Sequence, residues 1–425
     1  MSKRSAAALS ASPDSGTAAG AAPSAAASAA ADDDTEDIWA PTGLPAGMPR
    51  PAGSPTKVAR GRAIDCRRRS TGAAAAAARP RHDPIVIVTW NANGLLDRCK
   101  RPREVAALKA LLHQRKVDVL LIQEARVRAF SSDRRDRPAR SEVDDGLSEF
   151  LGSIDEYNAH WHLQDQRSAG LLMLAHRDLG PVVVENGVLP AVVVENGVLP
   201  AVHPVIQKGG RSQLAHFLSF DLLHTYVPNR GYSVDSVEAR EHWDGLVGQY
   251  LRDRGAAAPP LIWAGDLNVA HRPIDSTSES FWRRQNRPKV GALYELPFPG
   301  FADAERARFT RLLLDGGLTD EWRFRHPPPA GGAHHPVEGP FVTFRGLPLG
   351  NNFMRGQGQR IDYFLLDDTM RAQAEECEIL GHGTDPLFGF MGSDHCPMLL
   401  RLRGVRAAPG GGSAAAADDY GTDED

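Results

Sequence analysis

Cysteine is scarce in this sequence of 425 residues, which contains four cysteines. They stand at Cys66, Cys99, Cys377 and Cys396, and no two of them form a CxxC pair. This spacing lacks the pattern of a disulfide framework and that of a zinc site. We therefore expect reduced thiols, as is typical of an intracellular protein.

Long apolar runs and an excess of positive charge are also missing. No apolar run approaches the roughly 20 residues of a membrane span, and the N-terminus lacks the apolar core of a secretory signal. We therefore expect no membrane association. The formal net charge is −4, so binding to nucleic acid would require a local basic patch.

Aromatic residues are nearly absent from residues 1–82, where Trp39 is the only one. Ala, Ser, Pro, Gly and Arg dominate this segment, and such a composition cannot bury enough apolar area to offset the entropy lost on ordering. Residues 404–425 have a similar composition with an acidic end. The sequence predicts a disordered extension over 1–82, one folded domain over 83–403 and a disordered acidic tail over 404–425.

A split basic cluster, KVARGRAIDCRRRS (57–70), lies in the N-terminal extension. It has the pattern of a nuclear address, although a solvated run of charge has the same pattern. The first 31 residues, with Asp14 as their only acid, weakly resemble a mitochondrial presequence. We expect a nuclear protein and keep a mitochondrial pool as an alternative.

Short β-branched runs alternate with helical patterns through the central part of the chain. Strands are predicted at 84–90, 117–125, 169–177, 216–227, 259–270, 359–366 and 398–402. Amphipathic helices are predicted at 104–116, 236–255 and 302–317. This alternation indicates an α/β fold with sheet cores and helical outer layers.

The decamer VVVENGVLPA occurs twice in tandem, at 182–191 and 192–201. Two copies are too few for a solenoid, and the Asn-Gly pairs favour hairpin turns. We interpret the duplication as a lengthened loop or hairpin with little direct function.

Nearly every predicted strand ends in a polar cluster. The clusters are TWNANG (89–94), LIQEAR (121–126), HTYVPN (224–229), GDLNVAH (265–271), RIDYF (360–364) and GSDHC (392–396). One such cluster is more often a cap or a turn. Six clusters at the ends of six core strands can instead converge on one site.

The residue types in these clusters indicate metal-assisted hydrolysis of a phosphodiester. Oxygen ligands such as the Glu124 carboxylate suit Mg²⁺ or Mn²⁺, and such a metal neutralises charge on the phosphate and the leaving oxygen. A histidine held by a carboxylate, as is expected for His395, stabilises a phosphate or transfers a proton. Asp266 and Asn268, two apart on a segment predicted to be extended, would point the same way and orient a water.

These motifs resemble those of the endonuclease/exonuclease/phosphatase superfamily, and within it those of exonuclease III-type apurinic/apyrimidinic (AP) endonucleases. The sharpest matches are GDLNVAH, RIDYFLL and GSDHCP, and the resemblance extends over about residues 85–402. It implies a four-layer α/β sandwich, in which two mixed β-sheets pack face to face between helices. It also implies Mg²⁺ as the cofactor, with Mn²⁺ as a substitute.

The resemblance further assigns catalytic and metal-binding roles. Asp266 would activate the water or protonate the leaving group, with Asn268 beside it, and Tyr226 would bind the phosphate or stabilise the leaving group. His395, paired with Asp362, would contact the scissile phosphate. The metal ligands would be Glu124, Asn93 and Asp394.

Other residues would contact the substrate. Asn91 would support the phosphate, Arg126 would reach a backbone phosphate, and Asn229 would lie beside them. An extrahelical abasic sugar, which is cheap to flip out because it lacks a base, would enter an apolar pocket. That pocket would be lined by Phe344, Gln359 and Ile361.

Three positions depart from the family pattern, and one loop adds charge. His216 stands where many members have Glu, and we expect a structural effect at most. Asn93 stands where some members have Asp, which removes one negative charge and leaves one-metal and two-metal modes open. Gln359 stands where some members have Trp, and a smaller polar wall would favour additional trimming of 3′ ends. In FWRRQNRPK (281–289), aromatics interleaved with basic residues favour contact with DNA, although a solvated loop folded back on the protein has the same pattern.

The expected function is therefore that of a monomeric base-excision-repair enzyme. It would incise double-stranded DNA 5′ to an abasic site, leave a 3′-hydroxyl, and also process blocked 3′ ends by 3′-phosphodiesterase or 3′–5′ exonuclease activity. The alternatives are a phosphatase or RNA-directed nuclease of the same superfamily, and a non-catalytic DNA-binding scaffold. The N-terminal extension would bind repair-protein partners.

Overall fold

The computed structural model describes most of the predicted catalytic domain. The described residues are 83–143, 145–164, 167, 169–188, 209–255, 257–284, 297–328, 340–345, 357–381 and 391–405. The predicted N-terminal extension with its basic cluster, the second decamer copy, residues 285–289 of the basic loop and nearly all of the predicted tail lie outside them. Val405, just beyond the predicted end of the domain, is buried against the core.

Among the described residues, sixteen strands form two six-stranded sheets and two short strand pairs. The strands are β1 (Ile85–Asn91), β2 (Val119–Gln123), β3 (Ala129–Ser131), β4 (Arg134–Pro138), β5 (Tyr157–His162), β6 (Leu171–His176), β7 (Val183–Asn186), β8 (Ser212–His216), β9 (Asp221–Tyr226), β10 (Leu261–Asp266), β11 (Thr319–Asp320), β12 (Phe344–Arg345), β13 (Gly358–Gln359), β14 (Asp362–Leu366), β15 (Ala374–Ile379) and β16 (Met398–Leu402).

Eight α-helices accompany these strands in the described part of the chain. They are α1 (Leu95–Cys99), α2 (Pro102–Gln114), α3 (Asp145–Gly152), α4 (Val234–Asp253), α5 (Glu279–Arg284), α6 (Asp303–Gly316), α7 (Glu321–Arg325) and α8 (Asp368–Gln373). The long helix α4 begins after Ser233, whose side chain accepts a hydrogen bond from the backbone N–H of Ser236. Helix α6 ends at Gly317, which has the left-handed φ of 58° that a helix C-terminus favours.

Both large sheets mix parallel and antiparallel pairs. The first has the order β15-β16-β1-β2-β6-β5, and the second has the order β11-β14-β10-β9-β8-β7. In the first sheet, β1 runs parallel to β2 and antiparallel to β16. In the second, β10 runs parallel to β9 and antiparallel to β14. The predicted α/β class with two mixed sheets is confirmed.

The two sheets pack against each other through alternate residues of their strands. Ile85 and Ile87 of β1 share a buried cluster with Ile262 of β10 and Phe364 of β14, so this cluster lies between the sheets. The intervening residues of β1, such as Val88, pack on the other side of the sheet. Helices α2 and α3 cover the first sheet there, and α4 and α6 cover the second. This gives four layers.

Three predicted strands have different limits in the structure. The segment 216–227 is not one strand, because the backbone N–H of Phe217 donates to the carbonyl of Phe220 and closes a hairpin between β8 and β9. The segment 259–270 leaves the sheet at Asp266, and 359–366 contributes both β13 and β14. Strands β5 and β15 were missed because their partly exposed polar residues hide the apolar alternation.

The first decamer copy contributes β7, which pairs antiparallel with β8 at the edge of the second sheet. Among the described residues, no helix is long and apolar enough to cross a membrane. The three cysteines within them, Cys99, Cys377 and Cys396, are buried and form no disulfide.

A buried histidine links the two sheets. The ring of His224 lies with Nε2 2.7 Å from the Gln123 side-chain nitrogen and Nδ1 3.2 Å from the Gln213 side-chain oxygen. This network holds a neutral ring, because the Gln123 amide donates to Nε2 and the Nδ1–H donates to Gln213. Burial, assisted by the charge of His162, lowers the pKa of His224 from 6.5 to about 3.

We expect this histidine to make the fold sensitive to acid. The unfolded chain binds a proton at His224 below about pH 6.5, whereas the folded chain does so only near pH 3, so the free energy of unfolding falls as the pH drops through that window. Urea denaturation of His224→Gln should therefore show a weaker loss of stability than wild type between about pH 7 and 5. His162, whose pKa burial lowers to about 4, is present in both proteins.

The control is His113→Gln, because His113 is exposed on α2. That variant should keep the pH slope of wild type. An identical pH slope for His224→Gln and wild type would show that His224 does not carry the linkage.

Candidate active site

The predicted polar residues gather at one end of the layer between the sheets. Asn91 and Gln123 are the paired last residues of β1 and β2. Asp266, the last residue of β10, pairs with Tyr226 of β9 on one side and with Asp362 of β14 on the other. The alternation that buries apolar side chains between the sheets therefore brings these polar side chains into the same layer.

Asn91 joins the two sheets at this end. Its side-chain nitrogen is 2.9 Å from Oε1 of Glu124 and 2.9 Å from Oδ2 of Asp266. Its side-chain oxygen accepts from the backbone N–H of Asn93 at 2.9 Å. Asn91 is fully buried. Its bonds therefore fix the distance between Glu124, which follows β2 of the first sheet, and Asp266, which ends β10 of the second sheet.

Glu124 is a partly exposed carboxylate surrounded by polar partners. Its Oε2 accepts from Nε of Arg126 at 3.0 Å. Burial raises the pKa of Glu124, but the charge of Arg126, the Asn91 hydrogen bond and the charge of His395 outweigh it and lower the pKa below its ordinary value. Burial and the charge of Glu124 hold the pKa of Tyr226 well above its usual range. Glu124 is thus ionised beside a protonated phenol.

Asn93 and Asp394 lie together on two loops that are far apart in sequence. The Asn93 side-chain nitrogen donates to Oδ1 of Asp394 at 2.8 Å. The charge of Arg126 acts on Glu124 and on Asp394, and both carboxylates raise the pKa of Arg126 against the effect of its burial. Arg126 therefore links the neighbourhoods of the two predicted carboxylate ligands.

Left-handed backbone conformations mark the loops that carry these side chains. Asn93, Glu124, Arg126 and Asn268 have φ values of 47°, 49°, 51° and 49°. Residues other than glycine rarely adopt this region, and such conformations cluster at functional sites. The prediction that 266–268 is extended is therefore wrong. A turn at Asn268 brings its backbone N–H to within 2.9 Å of Oδ1 of Asp266.

His395 lies between two carboxylates. Its Nδ1 is 2.8 Å from Oδ2 of Asp362, and its Nε2 is 4.0 Å from Oδ2 of Asp266. Burial lowers the pKa of His395, but the charges of these carboxylates, Asp362 first, raise it to about 10. Burial and the charge of Asp362 raise the pKa of Asp266 to about 7, although His395 opposes that shift. The ring is an imidazolium at neutral pH and Asp266 is near its titration point.

Asn229 and Asn268 complete the side of the site formed by the second sheet. The Asn229 side-chain nitrogen donates to the side-chain oxygen of Asn268 at 3.0 Å. The Asn268 side-chain nitrogen donates to the carbonyl of Val227 at 2.9 Å and lies 3.3 Å from Oδ2 of Asp266. Asn268 thereby ties the loop after β9 to the loop after β10.

Of the three residues predicted for the sugar pocket, Phe344 lies beside His395, and the other two contact Phe344. The Phe344 ring is 5.2 Å from the His395 ring, centroid to centroid. Phe344 pairs with Gln359 in the β12–β13 ladder. Ile361 is buried in a small aromatic cluster that Phe344 also contacts. These residues form a wall next to the histidine.

The predicted DNA-contacting loop at 281–289 is described only as far as residue 284, and there its aromatic part is buried or partly buried. Trp282 is fully buried and packs with Phe301 and Ile361. Arg283 is bound by carboxylates, with its Nε 2.7 Å from Oε1 of Glu279. A wedge formed by Trp282 is therefore excluded, because its side chain supports the Ile361 wall from within.

Several residues that position the site were missed in the sequence. The Thr343 hydroxyl accepts the backbone N–H groups of Ile361 and Asp362 at 3.0 and 3.1 Å. The Ser393 hydroxyl donates to the carbonyl of Asn91 at 2.7 Å and accepts the N–H of His395. Ser393 lies in the GSDHCP motif, but its contact with Asn91 and both contacts of Thr343 join segments that are distant in the sequence, so the sequence does not predict them.

Arg240 is a missed residue that did have a signal. It occupies the apolar stripe of α4 between Val237 and Trp243 and is buried. Its Nη1 donates to the carbonyls of Asn268 and Pro228 at 3.0 and 3.3 Å. A charged residue on a buried helical face needs partners. Here they are Asp244, whose Oδ1 accepts from Nε of Arg240 at 2.9 Å, and the loops that carry Asn268 and Asn229.

The predicted metal ligands have suitable chemistry. Glu124, Asn93 and Asp394 offer only carboxylate and amide oxygens, the donors that Mg²⁺ prefers. A second set, Asp266, Asp362 and His395, has ligand atoms within 4.8 Å of one another. However, the imidazolium of His395 has no lone pair for a metal while it is protonated. The donor chemistry therefore favours the first set.

The fold and this site together define a class of phosphoester-cleaving enzymes. The sequence profile of the Endonuclease/Exonuclease/phosphatase family matches residues 88–395. The chain belongs to this family. Its reactions are metal-dependent, which agrees with the acidic and histidine groups at the site.

Individual relatives support this assignment. A DNA-(apurinic or apyrimidinic site) endonuclease of Arabidopsis thaliana is 30% identical over 342 residues, which cover 76% of this chain and 85% of the relative. An exodeoxyribonuclease of Bacillus subtilis is 23% identical and is covered to 98% of its length. A relative from Plasmodium berghei, also an endonuclease of this kind, is 27% identical but is covered to only 63%.

Solved structures share the fold. An AP endonuclease from Leishmania major superimposes with a TM-score of 0.54 at 23% identity, covering 76% of this chain and 88% of that one. A 3′ phosphatase from Neisseria, solved with a product DNA hairpin, superimposes with a TM-score of 0.51 at 22% identity, covering 75% and 99%. These likenesses confirm the four-layer sandwich.

Arg240 should control the rate of the reaction through the position of Asn268. Arg240→Lys keeps a charge but cannot reach both carbonyls and Asp244, so the two loops should shift. We expect kcat for phosphodiester cleavage to fall by about 10- to 100-fold with a smaller change in KM. Added guanidinium should partly restore the kcat of Arg240→Ala.

Arg252→Lys is the matched control, since Arg252 lies on the exposed side of the same helix and pairs with Asp315. That variant should keep the kcat of wild type. If Arg240→Lys folds normally and has a wild-type kcat, Arg240 has no positioning role.

Proposed function

We propose that the protein is a Mg²⁺-dependent AP endonuclease of DNA base-excision repair. It hydrolyses the phosphodiester 5′ to an abasic site and leaves a 3′-hydroxyl. The observation that carries this proposal is the arrangement of His395 between Asp362 and Asp266, joined through Asn91 to Glu124. The Arabidopsis relative has the name of this activity.

The residues divide the work according to their charge. The His395 imidazolium, held by Asp362, stabilises negative charge on the phosphate. Asp266, whose raised pKa lies near neutrality, takes the proton of the attacking water or protonates the leaving oxygen. The Tyr226 hydroxyl, kept protonated, donates to the phosphate or to the leaving oxygen. Water attacks phosphorus, and the bond to the 3′-oxygen breaks.

Glu124, Asn93 and Asp394 would hold the metal. When bound, Mg²⁺ neutralises charge on the phosphate and on the leaving oxygen. Arg126 already reaches Glu124, and its exposed guanidinium would contact a backbone phosphate of the substrate. The sugar of the abasic nucleotide would lie against Phe344.

The decisive experiment is incision of a duplex that carries one tetrahydrofuran abasic analogue. Wild type should cut 5′ to the lesion with Mg²⁺ and not with EDTA. Glu124→Ala and His395→Ala should each lose at least about 100-fold in rate. Glu241→Ala and His113→Ala, which alter exposed residues, should retain the wild-type rate. No cutting by folded wild type would redirect the assignment to an RNA or a small phosphoester.

Gln359 supports a second activity, the trimming of blocked 3′ ends. It is buried, and its side-chain nitrogen has no hydrogen-bond partner among the described residues. Gln359 is polar and narrower than Trp, so the wall beside Phe344 should exclude fewer kinds of 3′ end. One of the solved structures of this fold is described as a 3′ phosphatase.

Wild type is therefore expected to turn over abasic sites and 3′-blocked ends at comparable rates. Gln359→Trp should narrow this preference towards abasic sites, as measured by the ratio of the two kcat/KM values. Because a buried Trp also adds volume, Gln359→Met serves as the variant of similar size. An unchanged ratio in a folded Gln359→Trp protein would contradict a role in discrimination.

A further inference from the structure

A basic and aromatic hairpin begins two residues after Glu124. Between residues 126 and 140 the chain has six arginines and two aspartates, although the whole protein has a formal net charge of −4. Strands β3 and β4 form this hairpin, with Ala129 opposite Pro138 and Ser131 opposite Arg134. It is thus the kind of local basic patch that a protein without overall positive charge needs in order to bind a polyanion.

Alternate side chains form an exposed row that leads away from the active site. Arg126, Arg128 and Phe130 are exposed, whereas Val127 and Ala129 between them are buried. Arg126 has a left-handed φ of 51° and precedes β3, so the chain turns before it enters the strand at Ala129. The first member of the row contacts Glu124 itself.

The outer end of the row is an exposed aromatic platform. Phe130 is 45% exposed, so its ring is accessible to a ligand. The guanidinium carbon of Arg137 lies 3.9 Å from the centre of its ring. An aromatic ring stacked with an arginine presents a flat, positively charged surface, the arrangement on which unpaired bases stack.

The hairpin is fixed to the body of the protein. The backbone N–H of Leu163 donates to the carbonyl of Arg135 at 2.9 Å, and that of Ala129 donates to Gln164 at 2.7 Å. Glu142 is buried and binds Nε of Arg128 at 2.6 Å, yet the Arg128 side chain remains 48% exposed. The arginine side chains and the Phe130 ring are therefore preorganised by a hairpin whose backbone is fixed to the rest of the protein.

We infer that the hairpin 126–140 is a binding site for single-stranded DNA, which receives the strand that continues from the reactive phosphate. An unpaired base stacks on Phe130 and Arg137, and phosphates contact the exposed arginines. This inference rests on the proposed function, since the strand must enter at Glu124. An acidic protein segment would match the charge, but it would not explain the exposed ring or the start of the row at the reactive carboxylate.

The test compares three DNA duplexes that each carry one tetrahydrofuran site, with binding measured by fluorescence anisotropy in EDTA. One duplex is fully paired. In the other two, four bases next to the lesion are unpaired, on the 5′ side in one duplex and on the 3′ side in the other. Phe130→Ala should weaken binding to one of the unpaired duplexes by about 5- to 100-fold and binding to the paired duplex by less than about twofold. Arg137→Gln, which removes the guanidinium stacked on the Phe130 ring, should weaken binding to that same unpaired duplex as well.

Arg403→Gln is the matched control. Arg403 is exposed and paired with Glu375, and it follows β16 where Leu402 pairs with Ile85, at the end of β1 opposite to Asn91. This variant should bind the paired duplex and the two unpaired duplexes as tightly as wild type does.

Two results would overturn the inference. The first is that Phe130→Ala does not bind unpaired DNA specifically more weakly than wild type does. It would bind both unpaired duplexes as tightly as wild type, or it would lose as much affinity for paired DNA as for unpaired DNA. The second is a polyglutamate peptide whose binding is lost in Phe130→Ala and Arg137→Gln while DNA binding is kept, which would assign the surface to an acidic protein partner. The binding assay involves no turnover, so it tests the inference independently of the reaction. Failure of wild type to incise DNA would refute the proposed reaction but would not change the outcome of the binding assay.

Discussion

The packing of the two sheets is the constraint on which the site depends. Side chains alternate along a strand, so the register that buries Ile85 and Ile87 between the sheets also directs Asn91 into that layer. The pairing of β10 with β14 does the same for Asp266 and Asp362. A slip by one residue would turn these groups towards the outer helices. The apolar core and these polar groups therefore lie in the same layer between the sheets, with the polar groups at one end of it.

This arrangement concentrates charge where water is largely excluded. A single buried carboxylate would be costly, but Asp362, Asp266 and His395 offset one another, and Asn91 supplies a further hydrogen bond. Burial first, and then the charge of Asp362, raise the pKa of Asp266 to near neutrality, although His395 opposes both. The same burial and charges that the network must accommodate thus set the proton affinity of Asp266.

The sequence predicts those features that depend on local patterns. Strand β16 follows a Pro and is a short apolar run, so its limits at Met398–Leu402 match the expectation. The clusters at strand ends indicated a common site because sheet ends meet in space. The roles assigned to the individual residues stay predictions. Two features could not be predicted from local patterns: the hydrogen bond from Arg240 to the carbonyl of Asn268, and the burial of Trp282. Each depends on contact with a segment that is distant in the sequence.

The segment that carries Phe344 and the loop that carries His395 belong to one backbone unit. Arg345 donates its N–H to the carbonyl of Asp394 at 2.9 Å, and Cys396 donates its N–H to the carbonyl of Thr343 at 2.8 Å. Phe344 is thereby bridged to the residue between them, His395. A displacement of Phe344 must therefore also displace the imidazolium. Under the proposed function, these two hydrogen bonds would couple the choice of substrate to the rate of the reaction.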